Sequence, residues 1–239
     1  MHSKIYLVRH AETESNKAGL FGDGPLDDVF SELGSRQLRV TYGYFASCGI
    51  QFDRVISGSQ VRQIMTARAV VGTEYQDLLT EDKRTYIVED ARLNEISVGE
   101  WSGKSKNDLD AQTLADWRAG KILPLGGESK EQFESRVLAC WREMIFPMAQ
   151  ELIKETWTPE VPTGNILVVT SGNPIRMILG EVLGIPPAMR AQMDVQNGSI
   201  AVLRVVKIGN GFKVFLEQMN YLNHLRQSWV EVNMLPGTY

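Results

Sequence analysis

Short strand-like segments separated by helical patterns most constrain how this chain can fold. KIYLVR (4–9) and NILVVTS (165–171) are short, nearly unbroken apolar runs rich in β-branched side chains, and FDRVIS (52–57) reads as a further short strand. YIVED (86–90) suggests a third strand in chain order. Residues 199–207 and 212–218 suggest a pair joined by an Asn-Gly turn within IGNGF. Between them lie helical patterns. Ser31 caps a helix to about Ser47, with Leu33, Gln37, Val40, Tyr44 and Phe45 near one face. Ser59 opens another, with Val61, Ile64, Met65 and Ala69 on one side. Ser129 and Gln132 form a capping box before a long apolar stripe, which Pro147 should kink or end early. Asn173 as N-cap and Pro174 at the first helical position open a helix that Gly184 ends. This alternation predicts an α/β three-layer sandwich, a mostly parallel sheet with helices on both faces. Residues 1–239 read as one domain, with a cap-like excursion at about 93–130.

Composition narrows the function. At 239 residues and 43% hydrophobic, the chain can bury one large core. Its net charge of −4 argues against nucleic acid or an anionic membrane as partner, so a pocket for an anion must be locally basic. Cys48 and Cys140 suit free thiols in a reducing compartment. MHSKIYLVRH lacks the pattern of a signal peptide, and no run reaches the ~18–20 apolar residues that span a bilayer. The expectation is a soluble cytoplasmic protein. The three histidines (His2, His10 and His224) show no ligand spacing with cysteine, so neither metal nor other cofactor is expected.

Ligands of α/β sheets gather at the carboxyl ends of strands. Those ends here are Arg9-His10, Ser57 and Thr170-Ser171-Gly172. Arg9 offers a permanently charged fork of donors, and Thr13, Ser15 and Asn16 follow closely enough to complete an anion cradle. Arg62 lies just past the second strand and is a second clamp. Glu95, beside Leu93 and Ile96, is a candidate acid whose pKa burial would raise; residue types alone do not separate it from Glu100.

LVRHAETESN closely resembles the signature of the histidine phosphatase superfamily, which includes phosphoglycerate mutases. SGSQVRQIMTA, LNEISVGEWSG, PLGGES and VVTSGNPIR resemble four more segments of that family, in its order and over most of the chain. The resemblance implies a phosphoglycerate mutase-like fold and no metal. It implies that His10 is the nucleophile and becomes phosphohistidine, that Arg9 and Arg62 bind the phosphoryl group with help from Asn16, and that Glu95 is the general acid. Ser171 and Gly172 complete the phosphate contacts.

The family places a second histidine where this chain has Ser171. Serine can donate one hydrogen bond but carries no charge, and losing one preorganised donor costs ~10²–10³ in rate. The serine allows an engineered slowing of an active enzyme, a natural enzyme served by Ser171 or a water, or a protein that binds phosphate esters without turning them over. On this reading, restoring histidine at 171 should raise turnover steeply. Gly99-Glu100-Trp101 resembles the phosphatase branch rather than the mutases, which favours phosphomonoester hydrolysis, with mutase phosphotransfer as a further alternative. The partner is then a small phosphorylated substrate. Segments 20–30, 72–86 and 99–130 could roof the site, with Phe21, Trp101 and Trp117 either touching the leaving group or packing the cap. His224 is expected to pack near the C-terminus, and the 199–218 hairpin offers an edge for a homodimer.

Overall fold

The computed structural model describes residues 2–22, 25–72, 86–155 and 163–226. Six strands form one sheet: β1 (His2–Arg9), β2 (Arg54–Ser57), β3 (Ile87–Glu89), β4 (Thr163–Thr170), β5 (Ile200–Ile208) and β6 (Gly211–Tyr221), in the order β3-β2-β4-β1-β5-β6. The pairs β3–β2, β2–β4 and β4–β1 are parallel; β1–β5 and β5–β6 are antiparallel. Helices are α1 (Glu14–Lys17), α2 (Glu32–Ser47), α3 (Val61–Val70), α4 (Ala111–Arg118), α5 (Lys130–Cys140), α6 (Phe146–Glu155), α7 (Gly172–Leu183) and α8 (Pro187–Arg190).

The apolar runs work as two-sided strands because successive side chains alternate. In β1, Ile5 and Leu7 enter the core formed with α5, α6 and α7, while Tyr6 and Val8 enter the core formed with α2 and α3. In β4, Ile166 and Val168 join the first core, and Leu167 and Val169 the second. This gives three layers with the sheet in the middle.

Local details depart from expectation in four places. Ser171, not Asn173, is the N-cap of α7, which places Pro174 two residues beyond the first helical position. The hairpin turn is Gly209-Asn210, one residue earlier than expected, because Ile208 pairs with Gly211 and Gly209 takes φ +59°. Pro147 does not end its helix. A π-helical turn at Trp141–Ile145 links α5 to α6 just upstream, and its wider spacing accommodates a residue that cannot donate to the ladder. Leu33 is 50% exposed, since α2 buries Gly34, Gln37, Leu38 and Thr41 instead.

The excursion at 93–130 contains α4 and short 3-10 turns but no strand. Phe21, Val98 and Trp101 form a small core with Trp117 against it, so these aromatics pack against one another. Gly99 lies at φ +53°, and a Cβ there would stand 2.1 Å from the Leu125 carbonyl oxygen, so only glycine allows this close approach. Cys48 is exposed and Cys140 buried, both as free thiols. Among the described residues no helix is long and apolar enough to cross a membrane. Residues 73–85 of the 72–86 segment lie outside the described residues.

Candidate active site

Adjacent parallel strands β1 and β4 send the chain to opposite faces. After β1 it reaches α2, which packs into the core on one side; after β4 it enters α7 on the other. Such a divergence opens a crevice at the strands' carboxyl ends. The two chains stay joined at its floor, where the His10 N–H donates to the Thr170 carbonyl at 2.9 Å.

His10 is 2% exposed, and its Nδ1 lies 2.8 Å from the Ala11 carbonyl oxygen. A carbonyl oxygen only accepts, so Nδ1 carries the proton and Nε2 keeps its lone pair. Burial, then the charges of Arg62 and Arg9, hold the imidazole's pKa well below its ordinary value. The ring is therefore neutral at pH 7.

Arg9 donates from Nη1 to the Val195 carbonyl at 2.7 Å, while its buried Nε has no hydrogen-bond partner among the described residues. Burial pushes its pKa down to about 10, against the opposing charge of Glu95. A Cβ at Gly172 would stand 3.4 Å from Arg176 Nη1 and 3.6 Å from Arg9 Nε, so both guanidinium groups lie against the first turn of α7. Arg62 is buried in an ion pair with Asp27 and also donates to Gln60 Oε1 at 2.8 Å. Thr13 and Asn16 form a capping box around α1. The Asn16 side-chain oxygen accepts from the Thr13 N–H and from Asn197 Nδ2, so neither bond uses its amide nitrogen.

The Glu95 carboxylate accepts from the Ile96 N–H, the Asn173 N–H and Asn173 Nδ2. It faces an open cleft of about 570 Å³ that also takes in Gln60, Ser97, Glu128 and Arg136. His10 is not among that cleft's lining residues. Ser171 is 1% exposed and its hydroxyl accepts from Gln63 Nε2 at 2.8 Å.

Arg62 and Arg9 thus lie near enough to His10, and Glu95 and Arg62 near enough to Arg9, for their charges to act there, while Gly172 borders Arg9 and Ser171 meets Gln63. These surroundings also contain groups that sequence reasoning passed over. Arg176 and Asn173 belong to the VVTSGNPIR segment, whose helical pattern gives neither residue a site role. Asp27, Gln63 and Asn197 had no local signal. α3 is turned differently from its apolar stripe. Val61 is 45% exposed, whereas Arg62, Gln63 and Thr66 are buried, because this polar face looks into the crevice. His224 makes none of the contacts described for His10, Arg9, Arg62 or Glu95: it is fully buried beside Thr41 Oγ1 at 3.2 Å and packed between Tyr44 and Tyr221.

The family model of the histidine phosphatase superfamily (branch 1) matches residues 5–217. The chain belongs to the histidine phosphatase superfamily. Among its relatives is a 2,3-bisphosphoglycerate-dependent phosphoglycerate mutase of Rhizobium etli, 31% identical over 74% of this chain and 78% of its own. A protein of Hydrogenobacter thermophilus, provisionally named phosphoserine phosphatase 2, is 29% identical over 94% of this chain and 98% of its own. The α-ribazole phosphatase of Shigella flexneri shares the fold, with a TM-score of 0.68 at 22% identity, covering 91% of this chain and 96% of that one. A mycobacterial glucosyl-3-phosphoglycerate phosphatase bound to VO3 shares it with a TM-score of 0.67 at 22% identity, covering 91% and 99%.

Proposed function

We propose that this chain hydrolyses small phosphomonoesters through a phosphohistidine at His10. One observation carries the reading: the bond from His10 Nδ1 to the Ala11 carbonyl, 2.8 Å long, in a buried imidazole kept neutral by its surroundings. Such a ring presents Nε2 as a nucleophile without first losing a proton.

In the first step the Nε2 lone pair attacks phosphorus and the ester P–O bond breaks. The leaving oxygen takes a proton from the Glu95 carboxyl. The phosphorylated ring keeps its Nδ1 proton and so becomes cationic, and the Ala11 carbonyl accepts from the charged form. Arg9 and Arg62 offset the phosphoryl charge. In the second step water attacks phosphorus, the P–N bond breaks, and its electron pair returns to Nε2. The water's proton passes to the Glu95 carboxylate, which restores the acid. Asn16 and the first turn of α7 at Gly172 complete the phosphate contacts.

The phosphoglycerate mutase among the relatives supports phosphotransfer as a second reading. Turnover of p-nitrophenyl phosphate, together with the products formed from 3-phosphoglycerate, separates the alternatives. Release of free phosphate that is lost in His10→Ala supports the hydrolase. Conversion to 2-phosphoglycerate without free phosphate favours the mutase. Phosphate binding with neither reaction favours a sensor of phosphate esters.

A further inference from the structure

Gln63 is fully buried in the first turn of α3, one residue past Arg62. Its Nε2 donates to Ser171 Oγ at 2.8 Å and more loosely to the Leu93 carbonyl at 3.4 Å. Its Oε1 accepts from the Gln60 N–H at 3.4 Å. These bonds fix which end of the amide faces Ser171.

The consequence falls on the serine hydroxyl. A hydroxyl has one proton to donate and lone pairs to accept with. The amide nitrogen of Gln63 only donates, so it occupies a lone pair and leaves the Ser171 proton to go elsewhere. Ser171 holds the N-cap position of α7, yet its side chain makes no capping bond, and among the described residues no acceptor takes its proton. A buried donor left without an acceptor is unfavourable, so the serine proton favours an acceptor brought by a ligand. Ser171 stands between Thr170, whose carbonyl holds the His10 N–H, and Gly172, against which Arg9 and Arg176 lie. The oxygen of an anion held by those arginines is an acceptor of the right kind.

We propose that Gln63 is a positioning residue that fixes the Ser171 hydroxyl as a donor to the transferring phosphoryl group. The proposal rests on the hydrolase reading above and adds a residue to it. Gln63 and Ser171 together form a neutral, two-residue solution at the position where the family resemblance places an imidazole. The glutamine also fills the space beside the serine, which a one-residue comparison does not reveal.

The test is a double-mutant cycle on p-nitrophenyl phosphate, with kcat, KM and Tm measured for Ser171→Ala, Gln63→Met and the double variant. Ser171→Ala should lower kcat about 100-fold with KM nearly unchanged, as for the loss of one transition-state donor. Gln63→Met, similar in volume but without the amide donor, should lower kcat by a smaller factor. The double variant should match Ser171→Ala, because Gln63 acts through the serine. A purely structural glutamine would lower Tm and give losses that multiply in the double variant, which overturns the proposal. So does a Ser171→Ala enzyme that keeps its kcat while His10 is still phosphorylated; that outcome remains readable even when Gln63→Met fails to fold. A wild-type protein with neither turnover nor label at His10 overturns the hydrolase reading itself.

Discussion

Arg62 and Asp27 form an ion pair buried on both sides, with side-chain exposures of 3% and 2%. The pair ties the clamp arginine to the segment just before α2 and sets its charge against a carboxylate before any ligand binds. Removing the carboxylate leaves a buried guanidinium poorly compensated, which typically costs about 3–5 kcal/mol. Asp27→Ala should therefore lower Tm by about 10 °C. Inorganic phosphate should recover more of the loss than it adds to the wild type, since the anion supplies the missing charge. Equal phosphate-induced shifts in the two proteins would place Arg62 away from the anion.

The state of His10 makes a prediction about pH. Burial and two arginines keep its pKa far below the usual imidazole range, so the nucleophile remains neutral through pH 6–7. Once the substrate's own ionisation is allowed for, kcat/KM should stay flat across that interval, with an acid limb well below pH 6.5. A loss of activity centred near pH 6.5 would mean that the ring titrates like an exposed histidine.

His224 bears on stability rather than chemistry. Burial takes its pKa down to about 4. The unfolded chain binds this proton near pH 6.5 and the folded chain does not. Its contribution is thus fully present above that value and is lost as pH falls towards 4, by roughly 3 kcal/mol in all. Melting curves between pH 7 and 4.5 should fall more steeply for the wild type than for His224→Phe. Parallel curves would assign the acid sensitivity to other groups.

The contact between Gln63 and Ser171 also changes what a histidine at 171 should do. A larger ring would meet a fully buried glutamine already 2.8 Å from the serine oxygen. Overpacking of this kind costs about 1–3 kcal/mol. Ser171→His alone should lower Tm without a steep gain in kcat, and only Gln63→Ala with Ser171→His should exceed the single variant. A large gain from Ser171→His alone would show that the crevice already has room for the ring.

Strand runs and short-range caps were legible in the sequence because their signals are local. The Ser129–Gln132 box forms as expected, with both reciprocal bonds at 3.0 and 3.1 Å. The alternation of β1 and β4 across two cores follows from their unbroken apolar runs. The orientation of α3 was not legible, because burying the apolar stripe would expose Arg62, Gln63 and Thr66, and a polar crevice reverses that preference. Asp27 and Gln63 were invisible for a related reason. Their partners lie 35 and 108 residues away, and nothing in the local pattern marks either residue. Pro147 carried a true local signal, but its effect appeared upstream as the π turn at Trp141–Ile145.

Rapid denaturation after brief exposure to a ³²P-labelled phosphomonoester tests the nucleophile most directly. The account predicts acid-labile, alkali-stable label that maps to the peptide containing His10 and is absent from His10→Ala. Label on another residue, or turnover that persists undiminished in His10→Ala, would contradict it.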